Sequence, residues 1–308
     1  MNNNQKSAFI AILGRPNVGK SSLMNKAIGH KIAIVSDKPQ TTRTRIMGVL
    51  TKENQQLVFV DTPGFHRPHN LLGKKMIKAV GSGMSDVEAA VLVIDAAPKF
   101  KSDSLELPPA EVALIDEISR RNLKTILAIN KIDLLENKDA ILDIINRYKD
   151  AYPFDAVIPL SAKSGDGVDI LINECFKYTE ESPHYFAADD VTDQPDEIFV
   201  SEIIREKMLR TLQKEIPHGV AVCLERFYER DNSAGEPILE VEATIYCEKE
   251  SHKGIIIGKN GAMLKKIGTL SRADIEAFFG IKASVKLWVK VREDWRNHQG
   301  IIHRFGLD

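Results

Sequence analysis

The sequence lacks the features that mark several large classes of protein. Its three cysteines, Cys175, Cys223 and Cys247, lie far apart and form no CxxC pair, so they cannot build a disulfide framework, which favours a reducing compartment. No apolar run approaches the roughly 20 residues that span a bilayer, and the apolar stretch near the amino terminus is too short for a signal peptide. We therefore expect a cytoplasmic protein, with peripheral contact to the inner membrane face left open.

A strong net charge is also missing. The 42 lysine and arginine residues are balanced by 43 aspartate and glutamate residues, which gives a formal charge of −1. Such a balance hides any nucleic-acid affinity that is confined to one segment, so charge has to be examined locally. The chain of 308 residues, 43% of them hydrophobic, is long enough for two domains with a core each.

In residues 1–178, apolar strand-like runs alternate with helix-like stretches. Strands that are covered on both faces are continuously apolar, as these runs are, so the pattern predicts an α/β domain with a mostly parallel sheet. An extra edge strand is predicted at residues 46–52, in a hairpin with the run that follows it. The predicted parallel strands are residues 9–13, 56–60, 89–95, 124–130 and 156–162.

The composition changes after residue 178. Residues 179–197 contain seven acidic residues and two prolines but no lysine or arginine, and a domain linker is predicted at 179–196. In residues 197–308 the pattern predicts, in order, a helix, two paired strands, a short helix, a GxxG sequence, a longer helix and a last strand. This order predicts a smaller α+β domain with three strands.

The first strand leads directly into the sequence GRPNVGKS, a phosphate loop of the GxxxxGK[ST] type with a strand before it and a helix after it. In such a loop, backbone N–H groups surround the β-phosphate and the positive end of the helix adds to the field. Lys20 is predicted to bridge the β- and γ-phosphates, and the Ser21 hydroxyl to bind Mg²⁺. The predicted nucleotide contacts here are Gly14, Arg15, Pro16, Asn17, Val18, Gly19, Lys20, Ser21 and Ser22.

A second segment, DTPG, follows the apolar run 56–60. Its position at a strand end distinguishes it from an ordinary turn and places Asp61 near the phosphate loop, where its carboxylate is predicted to hold Mg²⁺ through water. Gly64 is predicted to offer its N–H to the γ-phosphate. The predicted contacts are Asp61, Thr62, Pro63 and Gly64.

Two further segments predict the choice of base. The carboxylate of Asp133, in the sequence NKID, can accept hydrogen bonds from N1–H and the exocyclic amine of guanine, whereas adenine offers neither donor pattern. The sequence SAK follows the next strand and can present a backbone N–H to the guanine O6. The predicted contacts are Asn130, Lys131, Asp133, Ser161, Ala162 and Lys163. With all segments in order, the chain is predicted to bind GTP or GDP.

The motifs together identify the chain as a member of the translation-factor-related class of small GTPases, in which GTP is hydrolysed to GDP and phosphate. Residues 37–45, DKPQTTRTR, lie where this class carries its first switch segment. The resemblance implies that Thr42 supplies the second hydroxyl ligand of Mg²⁺ beside Ser21 and Asp61. Thr41 and Thr44 remain alternatives.

Phe65 stands directly after DTPG, where many small GTPases carry a glutamine that orients the attacking water. Phenylalanine has no hydrogen-bonding group, so the resemblance to the hydrophobic-substituted GTPases implies slow intrinsic hydrolysis. In several of those relatives an asparagine at the position of Asn17 helps to bind K⁺, which adds positive charge beside the phosphates. We extend that role to Asn17 as a hypothesis; the alternative is a residue that merely favours the turn. The residues assigned to catalysis are Lys20, Asn17, Thr42 and Gly64.

The second domain carries a candidate RNA site. Residues 258–261, GKNG, lie between two helix-like segments, and in KH domains such a loop clamps the phosphates of a bound RNA strand. From Lys249 onwards there are twelve basic and six acidic residues, the local charge expected for contact with a nucleic-acid backbone. The last strand alternates apolar residues with a basic face that also carries an aromatic residue, although a solvated sheet face would look the same. The predicted RNA contacts are Gly258, Lys259, Asn260, Gly261, Lys265, Lys286, Trp288 and Lys290.

The position of the GxxG loop, between two helices after a two-strand unit and before a last strand, is that of a type II KH domain. A GTPase domain joined to such a KH domain resembles the Era family of bacterial ribosome-assembly GTPases, and the resemblance covers nearly the whole chain. It implies binding to the 3′ region of 16S rRNA in the maturing small (30S) ribosomal subunit, with GTP and RNA occupancy linked. We expect a monomer. Two rivals are a different hydrophobic-substituted GTPase and an RNA chaperone with a merely structural nucleotide site. No motif is interpreted in residues 297–308.

Overall fold

The structure, a computed structural model, divides into two compact units. Unit 1 comprises Met1–Ala33, Thr42–Pro68 and Lys75–Asp193, and unit 2 comprises Ile34–Thr41, His69–Lys74 and Gln194–Asp308. The residues that the structure describes are 5–38, 41–64, 70–84, 86–97, 106–212, 216–305 and 307.

Unit 1 is built on a mostly parallel sheet, as the sequence predicts. The strands β1 to β6 lie in the order β2-β3-β1-β4-β5-β6, and a two-residue strand, β7, pairs antiparallel with the start of β1. β2 is antiparallel to β3, which confirms the predicted hairpin, and the other neighbours on this path are parallel. The strands are β1 (Lys6–Leu13), β2 (Ile46–Lys52), β3 (Gln55–Asp61), β4 (Ala89–Asp95), β5 (Thr125–Asn130), β6 (Ala156–Pro159) and β7 (Glu180–Glu181).

Apolar side chains cover both faces of this sheet, because successive residues of a strand point to opposite sides. In β1, for example, Ile10 and Ile12 belong to one core cluster and Ala11 and Leu13 to the other. Helices α1 and α5 pack on the first cluster, and α3 and the end of α4 pack on the second. The helices of the first 178 residues are α1 (Lys20–Ile28), α2 (Leu71–Gly83), α3 (Pro109–Arg120), α4 (Ala140–Tyr148) and α5 (Val168–Phe176).

The acidic segment predicted as a linker is attached to unit 1 over most of its length. The edge strand β2 donates the N–H of Val49 to the carbonyl of Val191 at 2.9 Å, and Thr192 Oγ1 donates to the Met47 carbonyl at 2.8 Å. Unpaired backbone groups of an edge strand are satisfied in this way. The contacts use backbone atoms and short side chains, so the composition of the segment gave no indication of them.

Gln56 holds the first half of this segment. Its side chain is fully buried, and Oε1 accepts hydrogen bonds from the N–H groups of Tyr185 at 2.9 Å and Phe186 at 3.1 Å. The ring of Tyr185 also contacts that of Phe9, with 4.8 Å between their centroids. We call residues 182–193 the edge strap.

Unit 2 has a three-stranded sheet in the order β10-β9-β8, with β8 antiparallel and β10 parallel to β9. This agrees with the predicted order of elements. Leu239, Val241, Ala243, Ile245 and Cys247 of β9 all belong to the core formed with the helices. The elements are α6 (Asp196–Thr211), β8 (Ala221–Asp231), β9 (Pro237–Cys247), α7 (Glu250–Ile257), α8 (Ala262–Phe279), β10 (Lys282–Val291) and α9 (Gln299–Arg304).

Residues 34–41, just before Thr42, belong to unit 2, which the sequence did not predict. Glu206 of α6 is fully buried and accepts the N–H of Val35 at 2.9 Å, while Arg210 Nη2 donates to the Val35 carbonyl at 2.9 Å. Arg205 of the same helix donates to the Thr41 carbonyl. Among the described residues, no helix is both long enough and apolar enough to span a membrane.

We expect Gln56→Leu to loosen the edge strap. The change leaves two partly buried N–H groups without their acceptor. A fully buried group would lose about 1–3 kcal/mol, and we expect a smaller loss for each of these. Limited proteolysis should then cut residues 182–193 faster, and urea denaturation should give a lower free energy of unfolding. Asp189→Asn is the control, because Asp189 is exposed in the same strap. Equal cleavage rates for both variants would contradict this assignment.

Candidate functional site

The phosphate loop joins the end of β1 to the start of α1, as the motif predicts. Gly19, the residue before α1, has φ 100°, in the left-handed region that favours glycine. A Cβ atom at Gly19 would lie 2.3 Å from Nδ2 of Asn130, far inside van der Waals contact. Glycine is therefore required here for the side chain of Asn130 to lie against the loop.

Lys20 and Asp61 form a buried charge pair beside this loop. Nζ of Lys20 donates to the carbonyls of Gly14 and Arg15, both at 3.2 Å. Burial lowers the pKa of Lys20, and the charge of Asp61 partly opposes this; burial raises the pKa of Asp61, opposed chiefly by Lys20. An anion near Lys20 and a cation near Asp61 would therefore stabilise the charged forms of these two side chains.

Two hydroxyl groups meet the carboxylate of Asp61. Ser21 Oγ donates to Asp61 Oδ2 at 2.7 Å and lies 2.9 Å from Thr42 Oγ1, which is 3.3 Å from the same carboxylate oxygen. Oδ1 of Asp61 is buried and accepts no hydrogen bond of normal geometry from the described residues. Of the three switch threonines, the structure thus brings Thr42 to Ser21 and Asp61, whereas Thr41 Oγ1 donates to the Lys38 carbonyl at 2.7 Å.

The DTPG segment lies close to the phosphate loop. Thr62 Oγ1 donates to the Ile12 carbonyl of β1 at 3.1 Å. A Cβ at Gly64 would lie 2.8 Å from atoms of Pro16, so only glycine allows this approach. Phe65, which the sequence analysis connects with slow hydrolysis, lies outside the described residues.

Asn130 connects the base-recognition segments to the phosphate loop. Its Nδ2 donates to the Val18 carbonyl at 2.7 Å, and its Oδ1 accepts the N–H groups of Lys131 at 2.8 Å and Ala162 at 2.9 Å. Ser161 Oγ donates to Asp133 Oδ1 at 2.6 Å, which orients that carboxylate. The structure therefore brings NKID and SAK together at the same sheet edge as the phosphate loop.

Lys131 makes a second connection to the loop. Its Nζ donates to the Asn17 carbonyl at 2.7 Å and to Asp95 Oδ2 at 2.6 Å. Asp95 was not predicted from the sequence, although its position at the end of β4 was a usable signal, since the carboxyl ends of parallel strands meet at one edge.

A carboxylate that was not predicted from the sequence contacts Arg15 of the phosphate loop. Glu111 in the first turn of α3 is fully buried and accepts hydrogen bonds from Arg15 Nε and from the hydroxyl of Tyr148. Burial, with the negative charge of Glu111, raises the pKa of Tyr148 well above its usual range, so the phenol stays a donor. No motif marks Glu111 or Tyr148, which lie 96 and 133 positions after Arg15 in the sequence.

The GKNG loop of unit 2 lies between α7 and α8, as predicted. Gly258 has φ 73° and ψ 173°, and a Cβ there would lie 2.8 Å from Cβ of Met263. Asn260 and Gly261 also have positive φ, of 53° and 76°. Glycine at position 258 thus permits the sharp turn that leads into α8.

A groove of about 650 Å³ runs beside this loop, between α8 and the edge strand β10. Its floor is apolar, with Leu264, Val285 and Leu287, and Lys265 and Arg272 of α8 supply two cations. The remaining lining residues are Ile238, Gly261, Gly268, Thr269, Ala283 and Ser284.

The other predicted RNA contacts, Lys286, Trp288 and Lys290, lie on the opposite face of the sheet from the helices that bound this groove. The predicted alternation of β10 is confirmed, since its odd-numbered residues pack on the core and these three are exposed. Nζ of Lys286 is 2.8 Å from Glu240 and 3.3 Å from Glu242, both on β9. The structure therefore does not bring these three residues together with the GKNG loop.

Residues after β10 pack on unit 2, although they carry no motif. The ring of Phe305, just after α9, lies 4.9 Å from that of Tyr246 and 5.4 Å from that of Trp295, measured between centroids. Trp295 is fully buried, and its Nε1 donates to the Gly219 carbonyl at 3.0 Å.

Comparison with known proteins agrees with this division. The family described as 50S ribosome-binding GTPase matches residues 9–131, and the KH domain family matches residues 215–296. GTPase Era of Clostridioides difficile is 47% identical over 98% of this chain and 99% of its own length. The chain belongs to the Era family of GTPases. GTPase Era of Alkaliphilus metalliredigens is 43% identical, with the same coverage of both chains.

Solved structures of the Era family have the same fold. A crystal structure of Era in complex with MgGDPNP and nucleotides 1506–1542 of 16S ribosomal RNA matches with a TM-score of 0.91 and 33% identity. A variant of Aquifex aeolicus Era bound to GDP and AlF₄⁻ matches with a TM-score of 0.90 and 32% identity. Each match covers 98% of this chain and 99% of the other. The α/β GTPase domain and the type II KH domain predicted from the sequence are thereby confirmed.

Glu240, on the sheet face opposite the groove, gives unit 2 a pH-dependent stability. Hydrogen bonds from Lys286, and then from Arg230 and Ser284, lower its pKa from 4.5 to about 2 although burial opposes the shift. A carboxylate with a depressed pKa stabilises the fold above its unfolded-state pKa, and this stabilisation is lost as the pH falls through the folded-state value. For this reason we expect the urea concentration at the unfolding midpoint of unit 2 to decrease as the pH is lowered from about 4.5 to about 2.

The variant Glu240→Gln isolates this contribution from those of other carboxylates. It cannot ionise, so its midpoint should lie below that of the unchanged protein at pH 6 and approach it as the pH drops below about 3. Circular dichroism during urea titration measures both midpoints. If the difference between the two midpoints stays constant from pH 6 to pH 3, the stabilising role of the Glu240 carboxylate is contradicted.

Proposed function

We propose that this GTPase is a switch protein that binds the 3′ region of 16S rRNA through its KH domain and assists assembly of the small (30S) ribosomal subunit. The observation that carries the nucleotide part is the convergence of Ser21, Thr42 and Asp61 beside Lys20 at one sheet edge. The RNA part is supported by the groove beside GKNG, and by a solved Era structure at 33% identity that contains MgGDPNP and 16S rRNA nucleotides.

Guanine selection is assigned to Asp133. Ser161 fixes one of its carboxylate oxygens, so the group is oriented before the nucleotide arrives. Guanine can donate N1–H and its amine to this carboxylate, whereas adenine would leave a polar group unpaired, which disfavours ATP. Ala162 and Lys163 follow Ser161 in the loop that is assigned to the guanine O6.

The donor set around Asp61 fits Mg²⁺. Two hydroxyls and a carboxylate are hard oxygen ligands of the kind that this ion takes in nucleotide sites. Ser21 and Thr42 would hold the ion directly and Asp61 through water. Bound there, Mg²⁺ supplies positive charge to the β- and γ-phosphates. Lys20 adds a second positive charge, and the N–H of Gly64 is assigned to the γ-phosphate.

The groove fits a single RNA strand better than a duplex. Its apolar floor of Leu264, Val285 and Leu287 can contact the faces of unpaired bases, while Lys265 and Arg272 can pair with phosphates. The turn at Gly258 lets the backbone of the loop come close to the strand. We therefore assign RNA to the groove and not to the face that carries Trp288.

Both rival functions are disfavoured. An RNA chaperone with a merely structural nucleotide site has no need of a carboxylate at Asp133 that Ser161 orients beside the phosphate loop. A GTPase for tRNA modification or metal transport does not account for the groove of the KH domain. We further propose a cytoplasmic monomer, to be checked by light scattering and by fractionation of cell extracts; peripheral membrane contact stays a prediction.

One experiment tests the proposed function. GTP affinity, ATP affinity and GTP hydrolysis are measured with and without a 3′ fragment of 16S rRNA. We expect the protein to bind GTP in strong preference to ATP, and Lys20→Ala to lose on the order of a hundredfold in GTP affinity or turnover. Equal uptake of ATP and GTP, or of neither, would remove the nucleotide assignment.

The same RNA fragment distinguishes the two faces of the KH domain. Lys265→Ala and Arg272→Ala should each weaken RNA binding. Each should also make the RNA affinity less dependent on salt concentration, by the amount expected for the loss of about one phosphate contact. Gly258→Asp should abolish RNA binding. Lys290→Ala, on the other face of β10, should stay within about twofold of the unchanged protein, less than the loss of one phosphate contact. The reverse pattern would move the RNA to the Trp288 face.

We propose K⁺ as a second cation that assists hydrolysis beside Asn17. Asn17 lies in the phosphate loop, is exposed and has φ 65°, and its side-chain amide is the proposed ligand. We expect faster GTP hydrolysis in K⁺ than in Na⁺ at equal ionic strength, and Asn17→Ala to abolish that difference. Equal rates in both buffers would sink the proposal.

A further inference from the structure

Glu111 stands out as a buried charge that the nucleotide chemistry described so far does not use. It has no solvent exposure, and each carboxylate oxygen accepts one hydrogen bond, Oε1 from Arg15 Nε and Oε2 from the Tyr148 hydroxyl. A carboxylate out of water is strongly disfavoured unless it is paired. The Arg15 guanidinium supplies that pairing, and the N-terminal turn of α3 adds a favourable dipole.

The pair acts on the part of the loop that holds Lys20. The carbonyl of Arg15, with that of Gly14, accepts the Lys20 ammonium at 3.2 Å. When the Arg15 side chain is fixed on α3, the backbone of the same residue is fixed as well. The opposite side of the loop has its own attachment, from Lys131 to the Asn17 carbonyl. The loop is therefore held on both sides by charged side chains from other elements.

We propose that Glu111 is a positioning residue that fixes Arg15 and thereby preorganises the phosphate loop for the β-phosphate. This inference rests on the proposed nucleotide site. Because GDP and GTP share the β-phosphate, the effect is on the affinity for both nucleotides and not on the hydrolytic step. A preorganised loop loses less conformational entropy when the nucleotide binds.

The test compares variants of the full chain for GDP and GTP affinity by calorimetry, for kcat at saturating GTP, and for thermal stability. We expect Glu111→Gln to weaken GDP and GTP by the same factor, about tenfold, as one charge-assisted hydrogen bond is replaced by a neutral one. The value of kcat should stay within about twofold, so KM changes and kcat does not.

Tyr148→Phe is the matched control. It removes the other donor to the same carboxylate without touching the phosphate loop, and Tyr148 is also buried, with 5% of its surface exposed. We expect both Tyr148→Phe and Glu111→Gln to lower the unfolding temperature. Tyr148→Phe should, however, leave the affinities for GDP and GTP within about twofold of those of the unchanged protein. If both variants weaken nucleotide binding equally, or neither does, Glu111 only stabilises the fold and the proposal is wrong.

Arg15→Lys keeps the test decisive if Glu111→Gln does not fold. Lysine keeps the charge but not the planar guanidinium, and Arg15 is partly exposed, so the fold should tolerate the change. It should reproduce the equal loss for GDP and GTP. Where Glu111→Gln does fold, the two losses should not add in a chain that carries both changes. Additive losses would contradict the pairing. If the unchanged protein binds GTP normally and neither Glu111→Gln nor Arg15→Lys changes its affinity, the role of Glu111 is refuted but the proposed nucleotide site is not.

Discussion

A single side-chain amide connects the parts of the nucleotide site. Asn130 contacts the phosphate loop through the Val18 carbonyl and the SAK loop through the N–H of Ala162, at 2.7 and 2.9 Å. An amide carries both a donor and an acceptor, so one residue can join segments that have opposite needs. Because the contact is buried, an amide group left without its partners would be costly. The backbone of Lys131 depends on the same residue, since its N–H donates to Asn130 Oδ1 at 2.8 Å.

Much of this arrangement could be predicted, because each motif follows a strand whose apolar run is visible in the sequence. The carboxyl ends of parallel strands meet at one edge, so order along the chain was enough to expect Ser21, Asp61 and Asp133 in one place. The choice of Thr42 rested on resemblance, and the structure brings that residue, and not Thr41, to Asp61.

The contacts that could not be predicted join residues far apart in the chain and have no local pattern. Glu111 is one acidic residue among many in the helices, and only the fold shows that it meets Arg15. The edge strap was expected to be a linker because it is acidic, yet it attaches through backbone groups, which every sequence has. In the KH domain, alternation predicted the two faces of β10 correctly. Alternation does not reveal which face the GKNG loop shares, so Lys286, Trp288 and Lys290 were grouped with that loop because their face is basic and carries an aromatic residue.

The close approach of Gly19 to Asn130 has a consequence for how this site can change over evolution. Any side chain at position 19 would push against the amide that aligns the base-recognition loops. If Asp133 selects guanine as proposed, we expect a substitution at position 19, in the part of the site that touches phosphate, to alter discrimination between purines as well. The two ends of the ligand are then recognised by parts of the protein that cannot be changed independently.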